Sequence, residues 1–154
     1  MEIYNFLAPD SVYINIKANS KKQILQFISE EASKICQIDA REIFDNLLER
    51  ERLGSTGVGK GIAIPHAKFK SLDKIFGLFV KLDSDVNFDS IDDKPVDLIF
   101  LLIVPENAGA DHLTALARIS RFMRNADNMS GIRGADNVDS LYAILTQNKK
   151  VDAA

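Results

Sequence analysis

The stretch GSTGVGKGIAIPHAK, residues 54–68, decides how this chain is read. It sets a glycine-rich loop before a three-residue apolar run, a proline and one of only two histidines. Pro65 fixes its own φ and pushes Ile64 towards an extended conformation. Residues 62–64 are therefore expected to form a short strand whose end delivers His66 to an exposed loop. The free nitrogen of a neutral imidazole is nucleophilic near neutral pH and can take up a phosphoryl group. Glycines nearby let backbone N–H groups approach an anion closely. The pattern points to a phosphorylatable histidine, against the plainer reading of a lone histidine at a strand end.

Outward from this stretch, helices and strands alternate. Val12–Ile16 alternates apolar and polar residues, as a short strand does. Ser20 is placed to cap a helix running to about Cys36, with Ile24, Phe27, Ile28, Ala32 and Ile35 on its apolar stripe. Asp39 is placed to cap a second helix to about Arg52, with Ile43, Phe44, Leu47 and Leu48 facing inward. Residues 74–82, KIFGLFVKL, read as a strand, and 96–104, VDLIFLLIV, as a central strand covered on both faces. An amphipathic helix is expected over Ala110–Arg124, a short segment near 128–133, and a last helix over 139–146. Strands interleaved with helices indicate an α/β sandwich.

The chain has 154 residues, which predicts a single domain over 1–150 with a tail at 151–154. A domain of that size needs no disulfide or metal staple. Hydrophobic residues make up 46% and charged residues 27%, a globular rather than a disordered composition. The net charge of −3 carries no basic stripe, which argues against sequence-independent nucleic-acid binding. Cys36 is the only cysteine, so neither an intrachain disulfide nor a cysteine-based zinc site can form. Residues 1–11, MEIYNFLAPDS, hold no apolar core of signal-peptide length, and no run approaches the ~18 residues of a membrane span. A soluble cytoplasmic protein, without membrane insertion, is the expectation.

Two apparent motifs fail on inspection. Residues 54–60 match the G-x-x-x-x-G-K phosphate loop of nucleotide-binding proteins, but Gly61 stands where Ser or Thr must hold magnesium. The context is also reversed, because this loop follows a helix and precedes a β-like run. Asp83, Asp85, Asn87 and Asp89 mimic the start of a calcium loop, yet Phe88 and Lys94 occupy the positions that need Gly and Glu. The acidic run over 83–97 reads as a turn-rich, solvated connection.

Three further groups surround His66 in the reading. Arg50 belongs to the charge run ERER at 49–52, and such runs usually face solvent. At 100° per residue Arg50 falls within about 20° of Ile43, while Arg52 points away. An arginine at the end of an apolar stripe either snorkels or serves an anionic site. His112 lies in the first turn of the 110–124 helix, in line with Leu116, Ile119 and Met123. It is either a buried histidine held by the backbone or a neutral ring able to donate one hydrogen bond to a phosphate. A helix N-terminus disfavours its imidazolium form. Ser55 and Thr56 offer loop hydroxyls, though such residues are common in turns.

Taken together, RERLGSTGVG at 50–59 and GIAIPH at 61–66 resemble the enzyme IIA domain of the bacterial phosphoenolpyruvate-dependent phosphotransferase system, mannitol/fructose type. Within it the chain is most similar to the stand-alone nitrogen-regulatory branch. FDSID at 88–92, PVDL at 95–98 and His112-Leu113 extend the likeness along most of the chain. The resemblance implies a three-layer α/β/α sandwich around a mixed β-sheet. It implies that His66 carries the phosphoryl group on Nε2, and that Arg50 and His112 line the site, with Ser55 and Thr56 in support. The donor would be an HPr-like phosphocarrier or its nitrogen-related counterpart, and no metal, nucleotide or other cofactor is required. The implied role is regulatory, acting on targets such as transporters or kinases. The alternatives are a sugar-specific IIA component serving a IIB domain, and a binding module switched by its phosphorylation state. With one domain filling the chain, no attached IIB, IIC or carrier segment is expected.

Overall fold

A computed structural model describes residues 1–146 of the chain. The expected tail at 151–154, and the last residues of the expected domain, lie outside the described residues. After two 3-10 turns at Ile3–Asn5 and Pro9–Ser11, the chain runs β1 (Val12–Ile16), α1 (Lys21–Cys36) and α2 (Ala40–Arg52). Then come β2 (Gly57–Gly59), β3 (Ile62–Ala63), β4 (His66–Phe69), β5 (Phe76–Val86) and β6 (Val96–Pro105). Three helices follow, α3 (Ala110–Arg124), α4 (Ala126–Gly134) and α5 (Val138–Leu145).

The strands form one mixed sheet in the order β1-β5-β6-β3-β2, with β4 also paired to β6. β1 runs parallel to β5, β5 antiparallel to β6, and both β3 and β4 parallel to β6. Every residue of β6 except Asp97 is buried, as its near-continuous apolar sequence demands. Alternate β6 side chains serve opposite layers. Leu98, Phe100, Leu102 and Val104 join Phe79 and α3–α5 residues such as Ile119, Phe122, Ile132 and Leu141. Ile99, Leu101 and Ile103 join Leu78, Val80 and the inward faces of α1 and α2, among them Ile28, Ile43 and Leu47. This is the three-layer α/β/α sandwich.

Local signals behave as their chemistry requires, with informative departures. Ser20 Oγ accepts the backbone N–H of Gln23 at 3.1 Å and caps α1. Asp39 occupies the α2 cap position, but its side chain makes no capping bond. β5 extends past the expected end at Leu82 into the acidic segment, because Val86 pairs with Val96 after a shift in register. Residues 83–86 are therefore strand, not loop. α4 is a full helix where only a short segment was expected, and its C-terminal carbonyls are gathered by Lys81. The Lys81 ammonium donates to Ile132 O, Arg133 O and Ala135 O at 3.1, 2.8 and 2.7 Å. Among the described residues, no helix is long and apolar enough to cross a membrane.

Candidate functional site

The glycine-rich stretch is a hairpin. β2 pairs antiparallel with β3, Gly59 opposite Ile62, and Lys60 and Gly61 form the two-residue connection. Both have positive φ, 58° and 80°, as a type I′ hairpin turn requires. In the apparent nucleotide-binding match, Gly59 is thus the last residue of a strand and Lys60 the first residue of a hairpin turn. Arg133 clamps this turn from α4, donating to Lys60 O at 2.9 Å and forking onto Asp97 at 2.9 and 3.1 Å.

β3 and β4 lie along one edge of β6 in a single register, with Ile62 opposite Leu98 and His66 opposite Leu102. Pro65 sits between them without an N–H to offer, so the ladder is interrupted but does not slip. Its carbonyl still accepts the Leu102 N–H at 3.0 Å. The Ile64 carbonyl is left for the imidazole, and His66 Nδ1–H donates to it at 3.1 Å. That bond fixes the ring as the Nδ1–H tautomer, with the lone pair on Nε2. His66 is therefore the half-buried first residue of a strand rather than part of an exposed loop.

His66, His112 and Arg50 meet in a cleft of about 440 Å³ at the end of α2. The two imidazole centroids are 5.4 Å apart, with ring planes at 59°. His112 arrives from the first turn of α3, buried, and its Nε2 has no hydrogen-bond partner. Arg50 donates through Nη1 to Gly54 O at 2.8 Å, and its other guanidinium donors take no partner among the described residues. Lys68, Glu49 and the 85%-exposed Leu53 complete the rim. Arg52 turns away and pairs with Glu49.

The surroundings keep both rings neutral. Burial lowers the His66 pKa first of all, opposed by the bond to Ile64; Arg50 and Lys68 push it lower still, while Glu51 raises it. The His112 pKa is lowered by burial and then by the neighbouring His66 and Lys68. A cleft with two neutral rings, an arginine fork with donors to spare and a lysine can receive an oxyanion next to a nucleophilic nitrogen.

Ser55 and Thr56 are engaged elsewhere, and neither lines the cleft. Ser55 Oγ donates to Phe88 O at 2.8 Å and accepts the Gly57 N–H at 3.0 Å. Thr56 bonds to Glu51 through both its N–H, at 3.1 Å, and its hydroxyl. Glu51 in turn pairs with Lys21 Nζ at 2.8 Å, and its side chain is 3% exposed. Sequence reasoning passed over this buried carboxylate because it sits in the charge run at 49–52. The signal was present, since α2 buries Ile43, Leu47 and Glu51 at i, i+4 and i+8. Measuring the helical angle from Ile43 alone singled out Arg50 and missed its neighbour.

The family model described as phosphoenolpyruvate-dependent sugar phosphotransferase system, EIIA 2, matches residues 5–148. The chain belongs to this family. Members are phosphotransfer proteins. A nitrogen regulatory protein of Bradyrhizobium diazoefficiens is 47% identical over 145 residues, covering 94% of this chain and 95% of that protein. The crystal structure of nitrogen regulatory protein IIA-Ntr from Neisseria meningitidis superposes with a TM-score of 0.89 at 31% identity, covering 94% and 99%. A fructose-specific EIIA component of Haloferax volcanii is 34% identical and covers 83% of this chain and 84% of that one. The EIIA fold therefore extends over the sheet, both helical layers and the cleft.

Proposed function

We propose that this EIIA domain accepts a phosphoryl group on His66 Nε2 from a histidine-phosphorylated, HPr-like carrier in the cytoplasm, and that the phosphorylation state is its regulatory output. The observation that carries this reading is the Nδ1–H bond to Ile64 O, which leaves Nε2 as the acceptor. The lone pair of Nε2 forms the new N–P bond as the N–P bond to the carrier's ring breaks, and the electron pair stays on the carrier nitrogen. No proton moves, because the His66 proton remains on Nδ1. Transfer of this kind depends on alignment and on charge stabilisation of the phosphoryl oxygens. Arg50 is placed for the second task, with His112 beside the acceptor ring. Ser55 and Thr56 support the site by fixing the loop that holds it.

The regulatory role rests on the higher identity to the nitrogen regulatory relative than to the fructose-specific one. Phosphorylation would add about −1.5 to −2 charges, if phosphohistidine behaves as other phosphorylated side chains do. On a chain of net charge −3, at the rim of a docking surface, that weakens binding to an acidic or apolar target such as a transporter or kinase. The fructose-specific relative supports a second reading, passage of the phosphate to a sugar-specific IIB domain. The test is incubation with phosphoenolpyruvate, enzyme I and HPr-like carriers, followed by mass-spectrometric location of the phosphate. One acid-labile phosphate on His66, absent from His66→Ala, is expected; an equally phosphorylated His66→Ala overturns the assignment. Rapid onward transfer to an added IIB domain would favour the sugar-specific reading.

A further inference from the structure

A chain of contacts runs from a buried ion pair to the imidazole of His66. Lys21 at the start of α1 holds Glu51 at 2.8 Å, and its ammonium also lies 4.7 Å from the centre of the Phe88 ring. Glu51 grips Thr56 by N–H and hydroxyl together. The Thr56 carbonyl accepts the Ile64 N–H at 2.9 Å, and the Ile64 carbonyl accepts Nδ1–H of His66 at 3.1 Å. Each link involves a different peptide unit, so the chain transmits position rather than polarisation. Pro65 adds to its weight, since the segment carrying the Ile64 carbonyl lacks one ladder donor and keeps only the Pro65 carbonyl's bond to the Leu102 N–H on the β6 side.

We infer that Glu51 is a positioning residue for phosphotransfer: through Thr56 and Ile64 it holds the carbonyl that fixes the tautomer and orientation of His66. Lys21 belongs to the device, because it balances a carboxylate that would otherwise favour a proton on the nearby ring. The other charged or titratable groups facing His66 are Arg50 and Glu49 from α2, Lys68 from β4 and His112 from α3. Among the described residues none of these bonds to the Ile64 carbonyl, whose segment is held by the Ile64 N–H on Thr56 O and by the Pro65 carbonyl on the Leu102 N–H.

The inference rests on the phosphocarrier reading, and its test separates the two. Glu51→Gln keeps shape and one acceptor but loses the charge that holds Lys21. Thr56→Val keeps the N–H bond and the β-branched shape but loses the hydroxyl. Imidazole ¹⁵N spectra of the unphosphorylated protein, recorded from about pH 5 to 8, read the tautomer and titration of His66 directly. The expected result is a single Nδ1–H tautomer in the native protein and a visible Nε2–H population in both variants, with the amide spectrum of β5 and β6 unchanged. Phosphotransfer should fall roughly ten- to a hundredfold while the KM for the carrier moves less than about twofold. Variants that hold the native tautomer, or a general loss of amide dispersion in both, overturn the inference. If Glu51→Gln alone fails to fold, Thr56→Val decides. A native protein that refuses phosphate would end the phosphocarrier reading and leave the tautomer comparison to judge Glu51.

Discussion

Arg50 and Glu51 are adjacent on α2 and have opposite environments. Glu51 is buried and saturated, with Lys21 and both donors of Thr56 around it. Arg50 is half-buried, spends one donor on Gly54 O, and leaves the rest of its fork toward a cleft where His112 Nε2 also lacks a partner. A fully satisfied polar cluster rigidifies its surroundings, whereas an unsatisfied buried atom costs stability unless something binds it. The difference falls between two neighbours in a single turn of helix: Glu51 fixes the loop, and Arg50 keeps donors free towards the cleft.

The largest effect expected from this contrast lies on the saturated side. Glu51→Ala leaves the Lys21 ammonium only the Asp89 carboxylate at 3.9 Å and strands both Thr56 donors, and should cost roughly 3 kcal/mol of folding stability in urea titrations. A loss below about 1 kcal/mol would mean that the cluster is no more cohesive than a surface ion pair. On the open side, Arg50→Lys keeps the charge and loses the planar fork. Transfer onto His66 should slow about a hundredfold while stability changes by about 1 kcal/mol or less. Arg52→Lys serves as the control, and equal defects for the two would break the distinction between the faces of α2. A smaller and opposite effect is expected at His112. His112→Leu removes a buried atom without a partner, so it should raise stability by about 1 kcal/mol and slow transfer.

The smallest effect is the pH dependence. The two histidines have depressed pKa values in the fold, so the unfolded chain takes up protons first as pH falls through about 6.5. Their contribution to stability is complete above that value and is lost as pH falls towards the folded-state values. Urea midpoints should decline from about pH 7 to about pH 5.5, where an unperturbed imidazole titrates. The double variant His66→Gln, His112→Leu should flatten that decline. An unchanged slope would place its origin in other groups.

Much of this was legible in the sequence. The α1 stripe behind Ser20 and the amphipathic α3 announce themselves because each buries one face with a helical period, and β6 because it is apolar on both faces. What escaped has physical causes. β4 is only four residues long and begins immediately after Pro65, so its alternation is too brief to register. β2 is Gly-Val-Gly and reads as a loop, because its strand character comes from pairing with β3 rather than from its side chains. The exposed Asp83, Ser84 and Asp85 disguise the far end of β5 as a solvated connection. At the candidate site, His66, His112 and Arg50 could be proposed from residue type and position. The burial of Glu51 is masked by its charged neighbours and legible only from its spacing with Ile43 and Leu47, and the engagement of both Thr56 donors depends on a fold-back of the chain that local pattern does not encode.

β6 faces an apolar core on each side and pairs along both edges, with β5 on one and β3 and β4 on the other. Neither helical layer can detach without exposing the strand that the other layer needs. Amide protons of β6 should therefore exchange with solvent only through global opening, while the first turn of α3 at the cleft opens more readily than the end of α2, which the Glu51 cluster holds. On the proposed function, the acceptor ring opens into the cleft while its backbone is paired to this core strand. A carrier docking at the cleft would then meet a nitrogen tied through its backbone to the core sheet, with little reorganisation left to make on contact.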